Sequence, residues 1–176
     1  MSKLSRKEFV ERLKKIKLLA LDVDGVLTDD SIYFGPDGFE LKRFSISDGL
    51  FMVLAMRAGL ELTIVSGRYS PATDTRMKDL GVKHVLQAMQ DKTKQIKPLL
   101  EELGLGYSDV AFVGNEILDI KLAKKVALPI AVANSVPELI EVAKYITQNK
   151  GGQGAVREIL ECYFEAIGKD PKSFMV

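Results

Sequence analysis

Asp22 and Asp24 sit two positions apart at the end of a short apolar run, residues 17–23, and Gly25 follows them. Carboxylates leaving a buried strand are costly unless charge is matched nearby. One carboxylate of such a pair can attack phosphorus to form an aspartyl phosphate. The other can protonate the departing oxygen and then take a proton from water. Nucleophile and phosphate are both anionic, so this chemistry needs a divalent cation and a lysine to cancel the repulsion. It also needs donors for the phosphate oxygens, such as a serine hydroxyl and backbone N–H groups. Ser66, Lys92, Asn115 and Glu116 are of the right types. Each aspartate alone also suits a blander role, Asp24 in a turn before glycine and Asp22 as a cap. A calcium-binding EF-hand loop is excluded, because Val26 stands where that loop needs an oxygen ligand.

The elements that must position these residues follow from patterning. Residues 5–15 read as a helix with Ser5 and Glu8 as a capping box. Core strands are expected at 17–23, 60–65, 82–86, 110–113, 128–132 and 144–147, each short and apolar. Helices are expected from Asp48 as a cap to Ala58, from Ser70-Pro71 to Gly81, and from Asp91 to Leu103. Others are expected over 117–125 and 137–143, and from the Gly151–Gly154 segment to Ile167, with a frayed tail after Gly168. Residues 31–34 and 39–45 flank Gly35-Pro36-Asp37-Gly38 as a hairpin. Strand and helix alternate, so the expected fold is α/β: a doubly wound, Rossmann-like parallel sheet with a protruding β-hairpin, in one domain over 1–176. Ligands of such sheets bind at the carboxyl ends of the strands. Asp22, Asp24, Ser66, Asn115 and Glu116 fall there, and Lys92 opens a helix at the same edge.

Composition narrows the class. In 176 residues, 25 Lys and Arg balance 24 Asp and Glu, so a general nucleic-acid or membrane-surface binder is not expected. Cys162 is the only cysteine and cannot form an internal disulfide, which points to a reducing, cytoplasmic setting. No apolar run approaches the length of a bilayer span. His84 stands far in sequence from the other polar residues and reads as structural. Met52 and Met56 read as core filler, Cys162 as core or interface, and Lys121, Lys124 and Lys125 as a solvated helix face.

Asp22-Val23-Asp24-Gly25-Val26-Leu27-Thr28-Asp29 resembles the first motif of the haloacid dehalogenase superfamily of phosphatases. Ser66, Lys92 and Gly114-Asn115-Glu116…Asp119 resemble its second, third and fourth motifs, in the family order. The resemblance implies Asp22 as nucleophile and Asp24 as general acid and base. It implies Ser66 and Lys92 on the phosphate, and Mg²⁺ held by Asp22, the Asp24 carbonyl and the fourth motif. The hairpin, Ser47-Asp48-Gly49, Ser66-Gly67-Arg68, Arg76 and the run from Lys150 to Glu158 are similar to a subfamily acting on phosphorylated eight- and nine-carbon sugar acids in lipopolysaccharide precursor synthesis and related routes. This implies substrate contacts from Ser45, Ile46, Ser47, Asp48, Gly49, Gly67, Arg68 and Arg76. Eight- and nine-carbon substrates both remain open.

Asn115 departs from the family pattern, which has an aspartate there. An amide oxygen can ligate Mg²⁺ without bringing charge, so Asn115 is the expected ligand with weakened affinity. Glu116 compensating, Asp119 assisting from behind, and a non-catalytic relative are the alternatives. A signalling receiver domain is a further alternative that the Asp-x-Asp-Gly setting on the first strand disfavours. The segments 25–65 and 67–91 hold only a hairpin, helices and strands, so no cap domain is expected. Cover for the site is then expected from neighbours. Ile32, Tyr33, Phe34, Phe39, Leu41 and Phe44 put apolar groups on both hairpin faces, and the resemblance implies a homotetramer built around it. The 150–154 segment either bends toward a neighbouring site or simply enters the last helix.

Overall fold

Leu18, Leu19, Ala20 and Leu21 are all buried, which a strand achieves only when both faces of its sheet are covered. A computed structural model describing residues 3–175 shows this arrangement. The strands are β1 (Leu18–Leu21), β2 (Tyr33–Phe34), β3 (Glu40–Leu41), β4 (Glu61–Val65), β5 (His84–Leu86), β6 (Val110–Gly114), β7 (Leu128–Ala131) and β8 (Tyr145–Ile146). The helices are α1 (Arg6–Leu13), α2 (Ile46–Arg57), α3 (Pro71–Leu80), α4 (Lys92–Leu103), α5 (Ile120–Ala123), α6 (Pro137–Val142) and α7 (Ala155–Ile167). Six strands form one parallel sheet in the order β5-β4-β1-β6-β7-β8, and β2 pairs with β3 as the antiparallel hairpin. β1 is central, with β4 on one side and β6 on the other. The chain order reverses across β1 and β6, and a crevice opens outside strand ends at such a point.

Alternation along β1 divides the core. Leu19 and Leu21 join the cluster that packs Phe9 and Leu13 of α1, Met52 and Ala55 of α2, Met77 of α3 and Ile159 of α7. Leu18 and Ala20 join the opposite cluster, with Ile96 and Leu100 of α4, Leu122 of α5 and Leu139 of α6. Between Asp24 and Ser66 the chain is spent on the hairpin, α2 and β4, and between Ser66 and Lys92 on α3 and β5, so no cap module interrupts it. Among the described residues, no helix is long and apolar enough to cross a membrane.

Local signals largely act where expected. Ser5 and Glu8 form their reciprocal cap, and Ser70 and Asp91 accept from the third residue of α3 and α4. Two expectations are corrected. Ser45, not Asp48, caps α2, accepting from the Asp48 N–H at 3.2 Å. Asp48 is buried and caps α7 instead, accepting from the N–H groups of Arg157 at 2.7 Å and Gly154 at 3.3 Å. The tail beyond Gly168 is docked rather than frayed: Phe174 packs against Phe164 with ring centroids 5.8 Å apart, and its carbonyl accepts from Arg57. Burial pushes the Asp48 carboxyl up, against the pull of the N–H groups it caps. Asp48→Ala is expected to cost about 1–2 kcal/mol of unfolding free energy, the range of a lost helix cap. Urea denaturation checks this, with Asp48→Asn losing less because it keeps an acceptor and removes the buried charge.

Candidate active site

Asp22 leaves β1 at the crevice, with its N–H held by the Val113 carbonyl of β6 at 3.0 Å. Its side chain is buried, and so are those of Lys92 at the start of α4 and Asp119 after β6. Lys92 Nζ bridges the two carboxylates, at 2.7 Å from Asp22 Oδ1 and 2.5 Å from Asp119 Oδ1. Asp119 spends its other oxygen on the Asn115 and Glu116 N–H groups at 2.8 and 3.0 Å, which fixes the turn after β6. Burial pushes the Asp22 carboxyl up to about 7, with Lys92 opposing and Asp119 adding to the rise. For Lys92, burial alone lowers the pKa, but Asp22 and Asp119 outweigh it and raise it, so the ammonium persists. The lysine therefore works to keep a buried carboxylate ionised near neutrality.

Asp22 and Lys92 line a cleft of about 220 Å³ together with Asp24, Asp30, Ser66, Gly67, Arg68, Asn115 and Glu116, with Asp119 buried behind them. Ser66 ends β4 and shares its hydroxyl with the Arg68 backbone, donating to the carbonyl at 3.0 Å and accepting from the N–H at 3.3 Å. Burial raises the Asp30 carboxyl, as do Asp24 and Glu116, while the Asn115 amide draws it down. Glu116 turns to the Ile117 N–H at 3.1 Å, whereas Asn115 reaches inward. With its nitrogen turned outward the Asn115 amide serves Asp30; turned inward, that nitrogen would donate to the Asp24 carbonyl oxygen at 2.8 Å and to Asp22 Oδ2 at 3.3 Å.

The donor set fits Mg²⁺. Asp22 Oδ2, the Asp24 carbonyl and the Asn115 amide converge on one point, and Mg²⁺ suits a carboxylate, neutral oxygens and room for water or phosphate. Among the described residues no three His, Cys, Asp or Glu side chains converge on a cation, because two of these donors are a carbonyl and an amide.

Lys42 and Glu40 are contributors the sequence did not reveal. Lys42, whose side chain is 1% exposed, pairs with Asp24. Glu40 pairs with Arg68 and accepts from the Ser70 hydroxyl at 2.7 Å, and Arg68 chiefly holds its carboxyl below the usual range. Both sit on the hairpin, so nothing local in the sequence tied them to the strand ends.

The remaining expected substrate contacts lie outside the cleft within one chain. Ser45, Ile46 and Ser47 line a separate groove of about 940 Å³ with Arg43, Gly152 and Arg157. Ser45 and Asp48 are engaged as caps, and Gly49 packs against the Arg76 guanidinium. Arg76 itself lines a third groove, between the hairpin and α3.

The 150–154 segment holds the turn after β1 from behind. Gly151 N–H donates to Asn134 Oδ1 at 2.7 Å, Asn134 Nδ2 to the Gly25 carbonyl at 3.1 Å, and Gly152 N–H to the Val26 carbonyl at 2.9 Å. A Cβ on Gly151 would lie 1.8 Å from the Gly25 oxygen. Only glycine lets one backbone approach another so closely. Gly25, at φ +80°, faces Asn115 from the other side, where a Cβ would lie 2.0 Å from that side chain. Within one chain, then, this segment enters α7 and braces the turn that follows β1.

A crevice at the strand reversal, with an Asp-x-Asp turn facing a lysine and an amide at the end of β6, is the site of a phosphoryl-transfer hydrolase. The profile of the haloacid dehalogenase-like hydrolases matches residues 84–160. The chain belongs to that family. Among its relatives it is similar to the 3-deoxy-D-manno-octulosonate 8-phosphate phosphatase KdsC of Escherichia coli K12, with 39% identity over 92% of this chain and 86% of that protein. The enzyme of the same name from Moraxella catarrhalis, solved in complex with magnesium ion, phosphate ion and KDO, superposes with a TM-score of 0.88 at 37% identity, over 91% of this chain and 92% of the other. A probable YrbI family phosphatase from Pseudomonas syringae superposes with a TM-score of 0.91 at 39% identity over 95% of each chain.

Gly151→Ala is expected to cost about 3 kcal/mol, the upper part of the overpacking range, and to weaken cation binding by displacing the Asp24–Val26 turn. Gly35→Ala, where a Cβ meets nothing nearer than 3.5 Å, is the neutral control. Thermal unfolding of both variants checks this.

Proposed function

We propose that this chain is a Mg²⁺-dependent phosphatase of a sugar-acid phosphate, with 3-deoxy-D-manno-octulosonate 8-phosphate as the first substrate to test. The observation that carries the reading is the Lys92 bridge between Asp22 and Asp119 beside the Asp24 turn. Likeness to the KdsC enzymes over nearly the whole chain supports the substrate class.

Each group then has a task. The Asp22 carboxylate attacks phosphorus and forms an aspartyl phosphate, as the sugar oxygen leaves. Asp24 gives that oxygen its proton, then takes one from the water that attacks the phosphoenzyme, and Asp22 departs as carboxylate. Lys92 holds Asp22 ionised and offers positive charge to the phosphate. The Ser66 hydroxyl and the Gly67–Arg68 backbone, which line the cleft, would turn from one another to the phosphate oxygens. Mg²⁺, held by Asp22, the Asp24 carbonyl and Asn115, supplies the charge that lets two anions meet. Lys42 keeps the Asp24 carboxylate oriented toward the hairpin side of the cleft, and Arg68 is available to a substrate carboxylate.

A single-domain, capless chain with an open cleft has little to shield this chemistry from water. Ile32, Tyr33, Phe34, Phe39 and Leu41 of the hairpin are all exposed, so the hairpin does not fold back onto its own core. We propose a homotetramer in which the hairpins meet, which would also bring Ser45–Gly49 or Arg76 of one chain toward the cleft of another. Size-exclusion chromatography with light scattering is expected to show an oligomer, and a monomer at micromolar concentration would exclude that arrangement. For the activity, purified protein with Mg²⁺ is expected to release phosphate from the eight-carbon substrate faster than from nine-carbon sugar-acid 9-phosphates. Asp22→Asn should lower the rate by at least about a thousandfold, as loss of a nucleophile does. Release from no member of a sugar-phosphate panel would favour a non-catalytic relative.

A further inference from the structure

The Asn115 amide stands at 2.8 Å from the Asp24 carbonyl oxygen and 3.3 Å from Asp22 Oδ2. Both neighbours are acceptors. An amide has two ends of opposite character, and turning it half way about its last torsion exchanges them at nearly no change in shape. With the nitrogen inward, it makes two hydrogen bonds and draws two oxygens together, giving up its bond to Asp30 and turning its oxygen toward that carboxylate. With the oxygen inward, three oxygens face one point, which is favourable only around a cation. A carboxylate at this position has no inward donor to offer.

The surroundings hold the backbone of Asn115 and put an acceptor at each end of its amide. Asn115 is buried, its N–H is fixed by Asp119 and its carbonyl accepts from Val136 at 2.9 Å. No side chain at Gly25 crowds it. Its outer end faces Asp30, a carboxylate able to accept from the amide nitrogen when the oxygen points inward.

We infer that Asn115 is a two-position ligand: with its nitrogen inward it substitutes for the cation, and with its oxygen inward it binds the cation. Cation binding must then break two hydrogen bonds and turn the amide, and it gains a neutral donor rather than a charged one. The residue exchanges metal affinity for a stable metal-free protein. This rests on the proposed Mg²⁺ site, deepening it from which residues bind to how tightly.

The test compares the full chain with Asn115→Asp and Asn115→Ala by thermal unfolding in chelator and by calorimetric titration with MgCl₂. In chelator, Asn115→Asp is expected to unfold at a clearly lower temperature than the parent, because three oxygens are left facing one another. In Mg²⁺ it should regain that loss, with a dissociation constant lower by about tenfold or more, since ligand charge sets affinity. Asn115→Ala, which adds no charge, should also unfold earlier than the parent in chelator and bind Mg²⁺ more weakly. If both variants are as stable as the parent in chelator, or if Asn115→Asp binds Mg²⁺ no tighter, the two-position ligand is overturned while the metal site stands. If neither the parent nor Asn115→Asp responds to Mg²⁺ at any concentration, the metal site itself falls, and this inference with it.

Discussion

A single ammonium group organises the centre of this molecule. Lys92 is buried between Asp22 and Asp119, and its charge opposes the burial that pushes the Asp22 carboxyl up. Removing one member of such a buried set leaves uncompensated charge and typically costs about 3–5 kcal/mol. The sheet supplies the geometry: β1 ends in one aspartate, the turn after β6 holds the other, and α4 begins with the lysine. The three come together because β1 and β6 are neighbours at the strand reversal. The fold thus stores electrostatic free energy in the place where an anionic substrate would need it.

Charge placement also explains why the hairpin matters beyond its apolar faces. Lys42 and Glu40 extend the alternation of charge outward from Asp24 to Arg68. Arg68 is half-buried and tied to Glu40, so a carboxylate entering the cleft competes with a group already in place.

Legibility of the sequence varied with the range of the interaction. Strands and caps rest on neighbouring residues, so the apolar runs, Ser5, Ser70 and Asp91 could be read directly. The strand-end polar residues could be grouped because a parallel sheet brings such ends to one edge. What escaped is long-range. Asp48 looked like the cap of its own helix but caps α7, since Ser45 three residues earlier had already taken that task. Phe174 looked like part of a loose tail, but it finds Phe164 across a helix end. Lys42, just past a short strand remote from the motifs, gives no sign of its partner. Ser45–Gly49 and Arg76 were expected around one cleft, and the chain distributes them over other grooves.

The brace on the turn after β1 carries a consequence for the birth of the protein. Gly151 and Gly152 hold Gly25 and Val26 from more than a hundred positions downstream. A ribosome that has made the first two thirds of the chain has already exposed β1, β4 and β6, yet the turn carrying Asp22 and Asp24 has nothing behind it. Contacts of such sequence separation form late, because loop closure must come first. Asp22 and Asp24 are therefore laid down early and braced late, and a chain that ends before Gly151 has the strands without the brace behind their turn.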